Sequence, residues 1–494
     1  MPRSRGFRDL GAAGSRYIPN VLSLIRKHRI FFLGTTLAAL ALRLFFFFHY
    51  PAVTDDSRIY ADLATNWLQH GIYGQTQATQ IVPTDTRLPG YPAFLAGIFW
   101  LFGAGNFRAV LLTQILLDLA TCLIVADLAR RAVSDRAARI AFVLAALCPF
   151  LANYAAAALT ETLEIFFTVL ALDCAAAALN RMHDARVGIG ILDRTCRRLW
   201  AATGAAIAAC VLLRPDGGIL LAAVAFYLAV VAWKHRAGRK NMAEVLTAAI
   251  IVAVFALAPL APWTIRNFRT LHHFQPLAPR YANETDELVP RGFNRWVKTW
   301  IVDYASVEEI YWNVPGDKID PGKLPSRAID NPAERDATLA VIADYNQSQD
   351  MTPERDARFG KVAADRIRAH PVRYYVVLPL LRVADMWLRP RTELLPPDPR
   401  WWEFNDDAKH SVMAVGFGLL NLAYVAGALL AVIRGQARRP SGICWAGLLV
   451  SFLLLRSAFL ATLENPEPRY TLECYPAIIV LAASLLAGRD RPDH

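Results

Sequence analysis

The sequence predicts an α-helical polytopic membrane protein, and three observations carry that reading. The 494 residues are 55% hydrophobic and only 19% charged, below the roughly 25% charged share of soluble chains. The apolar residues gather in blocks of about 17–23, the length of helix that crosses a hydrocarbon core about 30 Å thick. Between those blocks, the basic residues fall in alternate connections, the asymmetry that orients helices across a bilayer.

Residues 1–29 form a basic tail with Asp9 as its one acidic residue. The apolar run 30–48 is charged only at Arg43 and no small-x-small cleavage pattern follows it. It therefore reads as an uncleaved first span with the N-terminus inside. Residues 49–106 form a first outer loop. In it, Ser57–His70 places Ile59, Leu63, Trp67 and Leu68 on one helical side, Arg58, Asp62 and Asn66 on the other, and Gly71 ends the helix. That is an amphipathic juxtamembrane helix. Pro89–Phe102 is apolar but short, a second juxtamembrane helix. Six spans follow at 107–129, 138–156, 163–180, 199–213, 217–233 and 243–262, completing an N-terminal transmembrane module over 30–262.

A mainly helical extracytoplasmic segment is expected over 263–410. Asn331-Pro332 with Glu334, and Thr352-Pro353, are helix-start signatures within it. Residues 371–387 are apolar but interrupted by Arg373, Arg382 and Asp385, and read as interfacial. Trp296, Trp300, Trp312, Trp387, Trp401 and Trp402 read as interface anchors. Spans at 411–433, 441–461 and 470–487 and a tail at 488–494 give ten spans with both ends inside.

The inner segments of this topology hold 25 Lys and Arg against 6 acidic residues, and the rest of the chain 28 against 36. The net charge of +11 is thus an orientation signal and not a nucleic-acid footprint. The seven cysteines include no CxxC pair, and none lies in the long polar segment, which argues against a disulfide framework or zinc site.

The unusual polar residues collect at the outer ends of the spans. Asp55 and Asp56 follow the first, and Arg87 precedes the second juxtamembrane helix. Glu161 opens the fourth span, Arg214 and Asp216 follow the fifth, and Arg266 follows the seventh. Glu464, Glu467, Arg469 and Tyr470 fill the last outer turn. Charges at membrane depth are costly and tend to be paired or functional. Arginines grip phosphate bidentately and a carboxylate takes a proton from an attacking hydroxyl, so this set suits group transfer from a phosphate-bearing lipid. Asp56 also suits a simpler use, capping the helix that begins near Ser57. Asp118, Asp127 and Asp173 are the acidic residues within spans that a transport path would use.

Asp56-Ser-Arg-Ile-Tyr60-Ala with Gly71-Ile-Tyr73 resembles the first outer loop of GT-C membrane glycosyltransferases. The protein O-mannosyltransferases, lipid A aminoarabinose transferases and lipid A uronosyltransferase-like proteins are the nearest in style. Arg87-Leu-Pro-Gly-Tyr-Pro, Leu159-Thr-Glu161, Pro262-Trp-Thr-Ile-Arg266-Asn and Arg469-Tyr470 with Pro476 resemble further landmarks. The resemblance implies a GT-C-type fold and an inverting glycosyltransferase. Its donor would be a polyprenyl-phosphate-linked sugar and its acceptor a hydroxyl of a lipid, glycan or protein. It would work at the outer face of the cytoplasmic membrane, facing the periplasm or exterior. Asp56, four residues before Tyr60, would be the catalytic base, with Asp55 as the alternative base or a metal contact beside it. Arg87, Arg266, Arg469 and Tyr470 would bind the donor phosphate, and Tyr60, Glu161 and Glu464 the substrate. No cofactor is assigned, although Asp55 and Asp56 together offer oxygen ligands to a divalent ion. A transporter or flippase for a lipid-linked sugar, and a glycan ligase or polymerase, are the alternative readings.

Overall fold

The computed structural model describes residues 21–185, 193–234, 239–284, 287–404, 408–435 and 445–488. The basic stretches around Arg186, Arg236 and Arg438, and most of both tails, lie outside the described residues. The chain opens with α1 (Val21–Lys27) and α2 (Arg29–His49). The outer loop holds α3 (Asp55–His70), a hairpin of β1 (Gly74–Gln77) and β2 (Gln80–Pro83), and α4 (Gly90–Phe102). Then come α5 (Phe107–Ala132), α6 (Asp135–Ala146), α7 (Pro149–Ala155), α8 (Glu161–Ala185), α9 (Arg194–Leu213), α10 (Gly218–Lys234), α11 (Arg239–Leu257) and α12 (Leu260–Leu271). The polar segment holds α13 (Arg291–Val297), α14 (Tyr304–Ser306), α15 (Pro332–Ser348), α16 (Pro353–Ala369) and α17 (Leu378–Leu388). The chain closes with α18 (Ala408–Ile433), α19 (Trp445–Leu460) and α20 (Tyr475–Ala487).

Among the described residues, eight helical segments are long and apolar enough to span a bilayer. They correspond to eight of the ten spans read from the sequence. The span at 138–156 is the pair α6–α7, bent by 53°. The span at 441–461 corresponds to a shorter apolar helix, Ala446–Leu460. The bend has a local cause: Cys148 precedes Pro149 and is extended at φ −70°, ψ 110°, because proline disfavours the helical conformation in its predecessor.

That bend leaves the last carbonyls of α6 without helical partners. Arg43 of α2 meets them, donating to Ala145 O at 3.2 Å and to Ala146 O. Its Nε pairs with Asp118 of α5 at 2.7 Å. The one charge that interrupts the first apolar run therefore ties three helices together inside the membrane. Elsewhere the main core is rich in alanine, including Ala138, Ala141, Ala145, Ala171, Ala175 and Ala178. Small side chains let helices approach closely where no hydrophobic effect drives them together.

The amphipathic helix of the outer loop starts earlier than Ser57. Thr54 is its N-cap in a capping box with Ser57, so Asp55 and Asp56 lie in the first turn and neither is the cap. Gly71 ends the helix in the left-handed conformation, φ 71°. The β-hairpin after it has no counterpart in the sequence reading, since Gly74–Pro83 lacks an apolar alternation or a strong turn pair. Before α3, Ala52 N donates to Ala156 O at 3.0 Å, and Ala158 N to Ala52 O at 2.9 Å. This short parallel bridge fixes the start of the outer loop against the turn that leads into α8.

The seventh helix continues to Leu271, past the end expected at 262. Pro259 stands at the N-cap and Pro262 in the first turn of α12, where a proline removes no helical hydrogen bond. Arg266 is therefore on a helix. In the outer segment, Asn331 Oδ1 accepts from Glu334 N at 2.9 Å and Thr352 Oγ1 from Arg355 N at 3.3 Å, starting α15 and α16 as the caps imply. Trp296 and Trp300 do not anchor at an interface: they are fully buried with Phe293, Tyr345 and Phe359 in a separate core.

Replacing Arg43 by Met leaves Asp118 buried and unpaired. Loss of one partner of a buried pair costs about 3–5 kcal/mol. The thermal unfolding midpoint of the purified protein should fall clearly in Arg43→Met and largely recover in Arg43→Met/Asp118→Leu.

Candidate active site

The helical period turns Asp56 and Tyr60 to one side of α3 and Asp55 to another. Asp55 is nearly fully exposed and pairs locally with Arg58 at 3.2 Å. The adjacent pair thus does not converge on one point, and Asp55 is not brought to the cluster around Asp56. Tyr60 is buried edge-on against Tyr91, ring centroids 5.1 Å apart. Its burial pushes the phenol pKa up to about 12.

Asp56 lies between two guanidinium groups, Arg87 at 3.1 Å and Arg469 at 3.6 Å. Burial alone would raise its pKa, but the charges of Arg469 and then Arg87 outweigh it and hold the carboxyl below its ordinary value. Asp56 is therefore an unprotonated carboxylate at neutral pH. A depressed pKa of this kind contributes stability above the unfolded-state value and loses it as pH falls through the folded value.

Arg87 follows the hairpin in a tightly held loop. Thr84, Asp85, Thr86 and Leu88 are buried, and Asp85 pairs with His273 at 2.7 Å. Arg266 braces this loop from α12: it donates to Thr84 O at 2.7 Å and to Tyr73 O, and lies against the rings of Tyr73 and Trp263. Its donors thus go to backbone carbonyls and Asn267 Oδ1, which makes it a support for the Arg87 loop rather than a partner of Asp56.

Arg469 is shared by three carboxylates. Besides Asp56, it pairs with Glu467 at 2.6 Å and Glu161 at 3.8 Å. Tyr470 donates its hydroxyl to Glu467 and lies under Arg214, 4.9 Å from the ring centroid. Arg214 pairs with Asp216 at 3.2 Å, Glu161 at 3.5 Å and Glu164 at 3.7 Å. Arg456 of α19 reaches Asp216 and Glu473, each at 2.8 Å. The result is a continuous chain of alternating charge from the outer loop into the helix bundle. Glu464 stands apart from it, bound to Arg280 at 3.0 Å and Lys298 at 3.5 Å, and so connects the last outer turn to the polar segment.

Of the residues singled out in the sequence, the structure brings together Asp56, Tyr60, Arg87, Glu161, Arg469 and Tyr470. It leaves Asp55, Arg266 and Glu464 outside that cluster. The cluster also takes in Arg214 and Asp216 from the end of the fifth span, and Glu164, Arg456 and Glu473, which sequence reasoning passed over. The signal for the last three was an ionisable residue inside an apolar run. Glu164, Asp216 and Glu473 have carboxylate oxygens within 4.8 Å of one another, a spacing that suits a metal ion, with Arg214 and Arg456 already balancing two of their charges. Asp118, Asp127 and Asp173 are all paired with arginines, Arg43 for the first and Arg131 for the other two.

The fold and this cluster define a helical polytopic membrane protein with a charged site at the ends of its spans. The family model for dolichyl-phosphate-mannose-protein mannosyltransferases matches residues 86–265, a stretch that includes Arg87, Glu161 and Arg214. The resemblance to GT-C membrane glycosyltransferases therefore holds over that part of the chain. No curated protein matches the sequence. Among solved structures, the chain is similar to the oligosaccharyltransferase AglB of Archaeoglobus fulgidus, in complex with an inhibitory peptide and a dolichol-phosphate. The identity is 15% over 93% of this chain and 50% of that one, with a TM-score of 0.47. The apo form of the A. fulgidus enzyme gives 17% identity over 92% and 50%, with a TM-score of 0.48. ArnT from Cupriavidus metallidurans bound to undecaprenyl phosphate gives 13% over 93% and 78%, with a TM-score of 0.34. This chain thus spans about half the length of the archaeal enzyme.

Removing Arg469 takes away the largest charge that opposes the burial of Asp56, leaving Arg87 and, more weakly, Arg214. In Arg469→Gln the protonation midpoint of Asp56, followed by isotope-edited infrared spectroscopy, should move to higher pH. An unmoved midpoint would mean that Arg469 does not set the charge state of Asp56.

Proposed function

We propose that this protein is a membrane glycosyltransferase that moves a sugar from a polyprenyl-phosphate donor to an acceptor hydroxyl. The single observation that carries the reading is Asp56, a carboxylate held ionised between Arg87 and Arg469. A base for a hydroxyl has to be unprotonated before the acceptor arrives, and a leaving phosphate needs cations close to that base. The match to the dolichyl-phosphate-mannose-protein mannosyltransferase family over 86–265 supports the same chemistry.

In the proposed reaction the acceptor oxygen attacks the anomeric carbon in line as its proton passes to Asp56. The bond from that carbon to the phosphate oxygen breaks, and the electron pair leaves with the polyprenyl phosphate. Inversion at the anomeric carbon follows from a single displacement. Arg87 and Arg469 exchange part of their pairing with Asp56 for the phosphate oxygens as its charge is neutralised. Tyr60 and Tyr91 form the buried floor beneath Arg87. The distribution of basic residues supports a location of the cluster on the outer face of a cytoplasmic-type membrane, toward the periplasm or exterior.

Asp56→Asn should lower the turnover of a polyprenyl-phosphate sugar at least about 100-fold, the usual scale for loss of a general base, in a variant that still unfolds cooperatively. Asp55→Asn should stay close to wild type. Arg469→Gln and Arg87→Gln should raise KM for the donor, whereas Arg266→Gln should mainly lower the unfolding midpoint. Full activity in Asp56→Asn, measured in reconstituted vesicles, would refute the mechanism.

A further inference from the structure

Next to the charge cluster is a second group of polar atoms that the proposed reaction does not use. Both carboxylate oxygens of Glu393 are sealed from solvent and have no hydrogen-bond partner. The same is true of the Tyr154 hydroxyl, on a residue only 2% exposed, and of Glu161 Oε2. Buried polar atoms are ordinarily satisfied, and each exception asks for a reason.

The backbone explains how these atoms meet. The strand of chain after α17 is anchored at two points around Glu393. On one side Arg391 donates to Pro468 O at 2.7 Å and to Thr471, in the turn that carries Arg469, and to Tyr475 Oη at 2.6 Å at the start of α20. On the other side Leu395 packs on Ala152 and Ala156, at the end of α7 that bears Tyr154. Glu393 is thus held between Tyr154 and the Arg469 turn. The strongest charges acting on Tyr154 are those of Glu393, Glu161 and Arg469. Burial raises the pKa of Glu393, opposed by Arg391, the residue's own backbone N–H, Arg389 and Arg469.

We propose that Glu393, Tyr154 and the free oxygen of Glu161 form a hydroxyl-binding subsite for the sugar of the lipid-linked donor. The donor set determines the ligand class. Three unpartnered carboxylate oxygens call for several O–H donors, and the Tyr154 hydroxyl can also donate to a ring or hydroxyl oxygen. A sugar ring supplies both kinds of group in one compact body. Among the described residues, neither Glu161 nor Glu393 belongs to the carboxylate group spaced for a metal ion. Glu161 pairs with Arg469, which also reaches the proposed base Asp56, so the subsite adjoins the proposed phosphate grip. Filling it would pair the orphaned oxygens only when a sugar-bearing donor is present, so an empty lipid phosphate gains nothing from it.

This inference rests on the donor proposed above, and the test separates the two. The full-length protein in detergent is titrated with undecaprenyl phosphate, and with undecaprenyl phosphate carrying a single hexose or pentose from a small panel. Glu393→Gln and Tyr154→Phe should leave affinity for the sugar-free lipid within twofold of wild type. They should weaken binding of the preferred sugar-bearing lipid tenfold or more. The retained affinity for the sugar-free lipid, with an unchanged unfolding midpoint, certifies the fold of each variant. If the wild type binds these lipids but the variants lose affinity for both forms alike, or for neither, the subsite is overturned and the donor stands. If the wild type binds none of them, the donor reading falls and takes the subsite with it.

Discussion

Arg469 is the interaction on which the rest of the site depends. One guanidinium, half-buried at the start of the last span, is shared by Asp56, Glu161 and Glu467. These carboxylates come from the first outer loop, the start of α8 and the last outer turn, which are far apart in the chain. A buried charge is tolerated only when it is paired and hydrogen-bonded, so each of the three segments needs the others in place. The same requirement runs inward. Arg214 meets Glu161, Glu164 and Asp216, and Arg456 meets Asp216 and Glu473. Along this chain each carboxylate has an arginine neighbour, and the alternation is what makes six acidic groups bearable at membrane depth.

The parts of the fold that look incidental serve to hold this arrangement. The Ala52–Ala157 bridge sets the height of Asp56 relative to Glu161. Arg266 gathers the carbonyls of Tyr73 and Thr84, and so fixes the loop from which Arg87 extends. Arg391 does the same for the turn that bears Arg469. In the last two cases an arginine donates to loop carbonyls, which helps irregular backbone persist near a membrane. The proposed chemistry thus sits on loops, but on loops braced from regular helices, and small displacements of such groups are costly in catalysis.

Much of this was legible in the sequence, although unevenly. Apolar blocks and alternating basic turns gave the helix set, because a hydrocarbon layer imposes a length and a charge rule that hold everywhere in the chain. The resemblance, with its base four residues before a tyrosine, separated Asp56 from Asp55, and in the structure the period of α3 turns the two apart. The hairpin at Gly74–Pro83 was not legible, since polar strands without alternation carry no periodic signal. Arg266 read as a phosphate ligand because an arginine at a span end has the same appearance whether it meets a ligand or a carbonyl. The partners of Glu464, Arg280 and Lys298, were not legible because they lie in the segment least open to pattern reading.

By itself, the sequence determined that the chain is a bundle of membrane helices, which loops share a face, and that carboxylates and arginines gather at one end of the spans. These are consequences of composition and period, and each can be read within a window of about 20 residues. Only the tertiary structure decided which carboxylate meets which arginine. It joined Asp56 to Arg469, more than four hundred residues away, and sealed the polar atoms of Glu393 and Tyr154 from solvent without a hydrogen-bond partner from another residue. Pairings of that kind depend on distances between helices, which the helical period of any one segment does not contain.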